Sequence, residues 1–91
     1  MEFEWHYRKA AINLKKHSVS FEEAVTCFFD HDQVAFFDPD HSDDEEREIL
    51  VARSENNHIL LVCYTVRNDV IRLISARMAT KREIKDYETG I

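Results

Sequence analysis

"HILLVCYTVRNDVIRLISAR", residues 58–77, decides the fold. Its first half is apolar on both faces, as a central strand covered from each side should be. Asn68-Asp69 then interrupts with two residues that tolerate positive φ, the mark of a tight hairpin turn. "VIRLISAR" is the returning strand. The stretch therefore predicts a hairpin at the heart of an antiparallel sheet.

Working outward, "EILVARS" (48–54) is another strand, joined to the first through a turn at Asn56-Asn57. "VAFFDPD" (34–40) reads as a short strand ended by Pro39, and "MEFEWH" (1–6) alternates Phe3 and Trp5 with polar neighbours. Downstream, Thr80 and Glu83 have capping-box spacing, which starts a helix near 81–88 that Gly90 stops. Ser20 and Glu23 form a second capping box, with Val19 and Ala24 as its hydrophobic staple. Phe21, Ala24, Val25 and Phe28 then give the apolar stripe of a helix over 21–29. An earlier helix carries Tyr7, Ala10, Ala11 and Leu14 as its stripe and ends on Lys15, Lys16 and His17, where cations suit the helix dipole. Phe28, Phe29, Phe36, Phe37, Tyr64 and Tyr87 read as core. The order β-α-α-β-β-β-β-α predicts an α+β fold in one domain over 1–91. It is an antiparallel meander sheet with two N-terminal helices packed on one face and a short C-terminal helix.

If Asn56-Asn57 closes a two-residue hairpin, Arg53 opposes Leu60 and Glu46 opposes Arg67. The same geometry at Asn68-Asp69 sets Leu60 opposite Arg77. Arg67 and Arg77 then stand roughly 23 Å apart at about 3.3 Å per residue, too far to share one phosphate. A three-residue turn over 68–70 would switch the pairing parity and put Thr65, Arg67, Ser75 and Arg77 on one face.

Composition bounds the chemistry. Ninety-one residues with 44% hydrophobic and 33% charged content suit one small globular domain. No stretch has the roughly 18 apolar residues of a membrane span, and the N-terminus lacks a signal-peptide core, so the expected location is cytoplasmic without membrane contact. Cys27 and Cys63 read as small buried hydrophobes rather than a disulfide framework. The net charge of −6 is uneven: residues 30–48 hold nine acids and one Arg, while the rest holds nine acids and eleven Lys or Arg. Asp30, His31, Asp32, Asp38, Asp40, His41, Asp43 and Asp44 offer many metal donors. No EF-hand or H-x-x-x-H spacing organises them, so a solvated loop is expected, with no metal and no cofactor.

"FEW" before a helix ending in "NLKKH", then "VSFEEA", "FFD", "HSDDEER", "T-x-R" and "IRLISARMATKREIKDYE", resembles the BrnT family of toxins from type II toxin–antitoxin pairs. The resemblance covers nearly the whole chain. It implies a RelE-like fold, RNA cleavage without a metal, and neutralisation by a BrnA-like ribbon-helix-helix antitoxin encoded beside the toxin. It also implies DNA contact only through that antitoxin. His6-Tyr7 stand where the family has Asp-Pro, Ser18 where it has Gly, and Met78 where it has Lys.

A metal-free ribonuclease must activate a ribose 2′-OH, stabilise the charged phosphorane and protonate the leaving oxygen. By resemblance, Arg67 and Arg77 clamp phosphate, since a guanidinium donates two parallel hydrogen bonds and stays charged. Read from the residues alone, each is a surface strand arginine in a salt bridge. Glu46 is a general base or the orienting partner of an arginine, and His17 an acid–base group or a helix-terminal cation. Lys16, Arg47, Arg72 and Lys81 are expected to contact RNA. Met78 and the net charge ground an alternative, a catalytically silent BrnT-like module that engages an antitoxin-like partner and contributes to operator repression. Phe28, Phe29, Phe36 and Phe37, read first as core, have an antitoxin-binding patch as their lesser reading. A third reading is an unrelated α+β scaffold whose acidic loop binds a basic protein.

Overall fold

The computed structural model describes residues 1–37 and 46–90. Five strands, β1 (Glu2–Glu4), β2 (Val34–Phe37), β3 (Glu48–Arg53), β4 (Ile59–Arg67) and β5 (Val70–Met78), form one sheet in the order β1-β5-β4-β3-β2. The helices are α1 (Tyr7–His17), α2 (Phe21–Thr26) and α3 (Lys81–Thr89), and a 3-10 turn at Cys27–Phe29 tightens the end of α2. The expected meander is present as β2 to β5, all antiparallel. β1 adds to β5 in parallel, a pairing no tight turn can make and which the chain reaches after α1 through β4. Pro39 and the acidic loop lie outside the described residues.

Alternation along β4 divides the core in two. Leu60, Val62 and Tyr64 face Val19, Phe21, Ala24 and Cys27 from the α2 region. Ile59 and Leu61, with Val51, face Ile84 and Tyr87 of α3 on the opposite side. Phe28 and Tyr64 are core residues, packed edge to face at 5.0 Å, and Tyr87 is buried. Phe29, Phe36 and Phe37 are not: they are 64%, 49% and 49% exposed. Phe36 and Phe37 sit on a sheet edge that nothing among the described residues covers.

The face of α1 also differs from the expected stripe. Tyr7 and Leu14 point to solvent, and the buried residue of the helix is Asn13. The reason is the neighbour. β1 pairs only residues 70–72 of β5, so the later part of β5 has no strand beside it there. Asn13 supplies the missing partner: its Nδ2 donates to the Ala76 carbonyl (2.8 Å) and its Oδ1 accepts from the Ala76 N–H (3.0 Å). The same Nδ2 donates to the carbonyl of Val19 (3.0 Å). A buried backbone edge needs hydrogen bonds more than apolar contact.

The turns set the register. Asn68 and Asp69 both have positive φ, as a two-residue hairpin needs, and Arg67 pairs with Val70. At the other hairpin only Asn57 is left-handed, and Ser54 N–H donates to the His58 carbonyl. The loop is therefore three residues, Arg53 opposes Ile59 rather than Leu60, and Glu48 opposes Tyr64. Glu46 falls beyond β3 and outside the expected rung with Arg67. Thr80 and Glu83 form the full capping box, but the Ser20 box is one-sided. Glu23 instead accepts from the Ser54 hydroxyl (2.6 Å) and contacts His58 Nδ1 (2.8 Å), fastening α2 to the β3–β4 turn.

Candidate nucleic-acid interface

A bulge in β5 builds this surface. Cys63 pairs with Ser75 and Tyr64 with Leu73 on consecutive rungs, leaving Ile74 as the extra residue. Near the turn, Thr65 opposes Arg72; beyond Ile74, Leu61 opposes Arg77, not Leu60. The extra residue switches parity within the strand. Thr65, Arg67, Arg72, Ser75 and Arg77 consequently share the face that carries α3. The grouping expected from a three-residue turn arises from a bulge, with the two-residue turn intact.

Arg67 ends β4 and is exposed; Leu61, opposite Arg77, lies six residues before it. At about 3.4 Å per residue the two arginines are roughly 20 Å apart along the sheet, with Arg72 between them. Arg77 is held at its position. Its Nη1 and Nη2 donate to the two carboxylate oxygens of Glu83 (2.9 and 3.0 Å). Those bonds hold the guanidinium pKa above its ordinary value and the Glu83 carboxyl below its own. Arg72 Nη1 donates to Glu4 (2.9 Å), its register partner on β1.

The remaining expected residues fall at two places. Glu46 is exposed, and its backbone carbonyl accepts from the Thr65 hydroxyl (2.7 Å). Beside it, Arg47 has a buried Nε with no hydrogen-bond partner among the described residues. Lys16 and half-buried His17 end α1 and, with Lys9 and Ser75, line a cavity of about 190 Å³ next to the bulge. Lys81 opens α3 and is exposed. Glu46 and His17 thus approach the sheet from different elements, one at Thr65 and the other at Ser75.

Lys9 was not singled out by sequence, although it precedes Lys16 by seven residues, two helical turns, and so shares its face. Ser75 joins the cavity because of the bulge, which has no Gly or Pro to announce it. Among the described residues, no three or more His, Cys, Asp or Glu cluster as a metal site requires, and no helix is long and apolar enough to cross a membrane.

Comparisons with known proteins agree with this architecture. The family model described as the ribonuclease toxin BrnT of type II toxin–antitoxin systems matches residues 5–83. The crystal structure of the Brucella abortus ribonuclease toxin BrnT is similar in fold, with a TM-score of 0.60 at 22% identity, over 89% of this chain and 99% of that one. No curated protein sequence matches.

Proposed function

The chain belongs to the BrnT family of ribonuclease toxins of type II toxin–antitoxin systems, and on that premise we propose that it is an endoribonuclease that cuts RNA without a metal and is silenced by a BrnA-like ribbon-helix-helix antitoxin. The observation that supports the catalytic reading best is the parity switch at Ile74. It gathers Arg67, Arg72 and Arg77, three guanidinium groups, on one face with Ser75.

In this reading a single RNA strand crosses the sheet and meets the arginines at different phosphates. A ribose 2′-OH attacks its adjacent phosphorus, and the P–O5′ bond breaks as the phosphorane collapses. Arg77, oriented by Glu83, stabilises the phosphorane charge, and Arg67 holds a phosphate further along the strand. Glu46 or His17 transfers the protons: one group takes that of the 2′-OH, and one gives a proton to the leaving 5′ oxygen. Lys16, Arg47, Arg72 and Lys81 supply further backbone contacts.

A second reading, a silent module that binds an antitoxin-like partner and aids operator repression, is favoured by one observation. Both arms of Arg77 are already taken by Glu83, and Met78 beside it adds no cation. Induced expression without antitoxin separates the two. Growth arrest with RNA cleavage that persists in EDTA, and loss of both in a folded Arg67→Ala/Arg77→Ala variant, is the expected outcome. Intact RNA and normal growth with the wild-type chain would select the silent module.

A further inference from the structure

The side of α3 away from the arginines carries a second surface. Val34, Ala35 and Phe36 of β2, with Val51 and Tyr87, line a groove of about 250 Å³ walled by Glu83 and Asp86. Through Val34 and Tyr87 it continues into a cavity of about 530 Å³ bordered by Asp32, Arg53 and Glu88. The floor of the smaller groove is apolar, and the rim holds Asp32, Asp86 and Glu88 beside one cation, the fourth acid, Glu83, being taken by Arg77. That cation is engaged, since Arg53 Nη1 donates to Asn57 and its guanidinium lies 6.0 Å from the Tyr87 ring centroid.

Among the described residues, nothing covers the edge beside this groove. β2 is an outer strand of the sheet, and nothing among the described residues pairs with its free side. Its sequence, Val-Ala-Phe-Phe, has no charge or proline of the kind that protects a strand edge from association. Phe36 and Phe37 stay half exposed on it. Such an edge takes an added strand, whose backbone gives affinity while alternate side chains fill pockets.

We propose that this edge and groove are the antitoxin's docking site, filled by an extended cationic segment of that partner. Its apolar side chains cover Val34 and Phe36, and flanking Lys or Arg side chains meet Asp32, Asp86 and Glu88. Charge selects the occupant: the acidic rim repels RNA, and a second copy of this chain would set acid against acid. The inference rests on the toxin reading of the family, and it names the opposite flank of α3 from the arginines, on the same sheet face, with Glu83 standing between the two.

The test uses the full chain, free and in complex with the antitoxin encoded beside it. Hydrogen exchange of the 34–37 amides is expected to slow at least tenfold in the complex. Asp86→Lys/Glu88→Lys should raise Kd at least tenfold, while RNA cleavage by the free variant stays at the wild-type rate. Equal exchange of 34–37 in both states, or a Kd within twofold, would overturn the docking site and leave the toxin reading standing. Antitoxin that fails to bind the wild type removes the partner and the docking site together, with RNA cleavage reporting separately on the enzyme. Concentration-dependent dimers that already protect 34–37 in the free chain would assign the edge to a second copy and equally overturn the proposal.

Discussion

Arg77 closes both arms of its guanidinium on Glu83, the residue whose Oε1 also accepts from the Thr80 N–H to cap α3. One carboxylate thereby fixes the end of β5 to the start of the last helix and aims Arg77 along the sheet face. The pair is partly exposed, Arg77 at 37% and Glu83 at 25%, so solvent screens much of its attraction. Glu83→Gln keeps the shape and loses the charge, and should lower stability by about 1 kcal/mol. RNA cleavage should survive it, whereas Arg77→Ala should reduce cleavage at least 100-fold at a similar stability loss. Urea unfolding beside single-turnover cleavage checks both. Activity that follows stability equally in the two variants would make Arg77 a structural residue.

Asn13 forms three buried hydrogen bonds that no apolar side chain can replace. Asn13→Ala leaves the Ala76 N–H and carbonyl and the Val19 carbonyl without partners, for an expected loss of about 3 kcal/mol. Asn13→Asp is the sharper variant. A carboxylate still accepts from Ala76 but sets its charge against two carbonyl oxygens, so it should destabilise at least as much as alanine. Equilibrium denaturation that ranks aspartate near wild type would contradict the assigned amide orientation.

Asn13 also shows where sequence reading stops. The strands, the Thr80 capping box and the Asn68-Asp69 turn were legible because each depends on a few neighbouring residues. The buried face of α1 was not, since it is set by a carbonyl and an N–H at Ala76, 63 positions away. The Ile74 bulge is likewise a property of two paired strands rather than of one, and it decides which side Ser75 and Arg77 occupy. At Asn56-Asn57 the residue types announced a turn but not its length, which shifted Arg53 by one rung. The grouping of Thr65, Arg67, Ser75 and Arg77 was therefore open to sequence reading only as one of two registers, while the bulge that produces it was not.

Ser18 ends α1 in the left-handed conformation, with φ of 58° and its N–H donating to the Leu14 carbonyl. A side chain there is strained in a way glycine is not. Ser18→Gly should stabilise the protein by about 0.5–1 kcal/mol, the native relief exceeding the added freedom of the unfolded chain. That corresponds to a Tm rise of roughly 2–8 °C for a domain of this size. Differential scanning calorimetry checks it; an unchanged or lower Tm would mean that Ser18 is not strained.

Acid should unfold this protein through three carboxylates with one sign. Burial opposes ionisation of Glu23, but hydrogen bonds from Ser54, His58 and Asn56 outweigh it and hold the carboxyl below its ordinary value. Asp30 behaves alike: burial raises it, and bonds from the Arg53 and Asp32 N–H groups and the Tyr87 hydroxyl lower it further. Glu83 is lowered chiefly by Arg77. A carboxyl depressed in the folded state binds its proton first in the unfolded state. Its stabilisation is therefore complete above the ordinary values, 4.5 for glutamate and 3.8 for aspartate, and is lost as pH falls through the lower folded values. Unfolding free energy should be flat in these groups above about pH 5.5 and should decline from there towards pH 2. Glu23→Gln should be less stable at pH 7 and show a shallower decline. Urea titrations at half-unit pH steps decide the matter, because a slope unchanged by the substitution would remove Glu23 from the acid response.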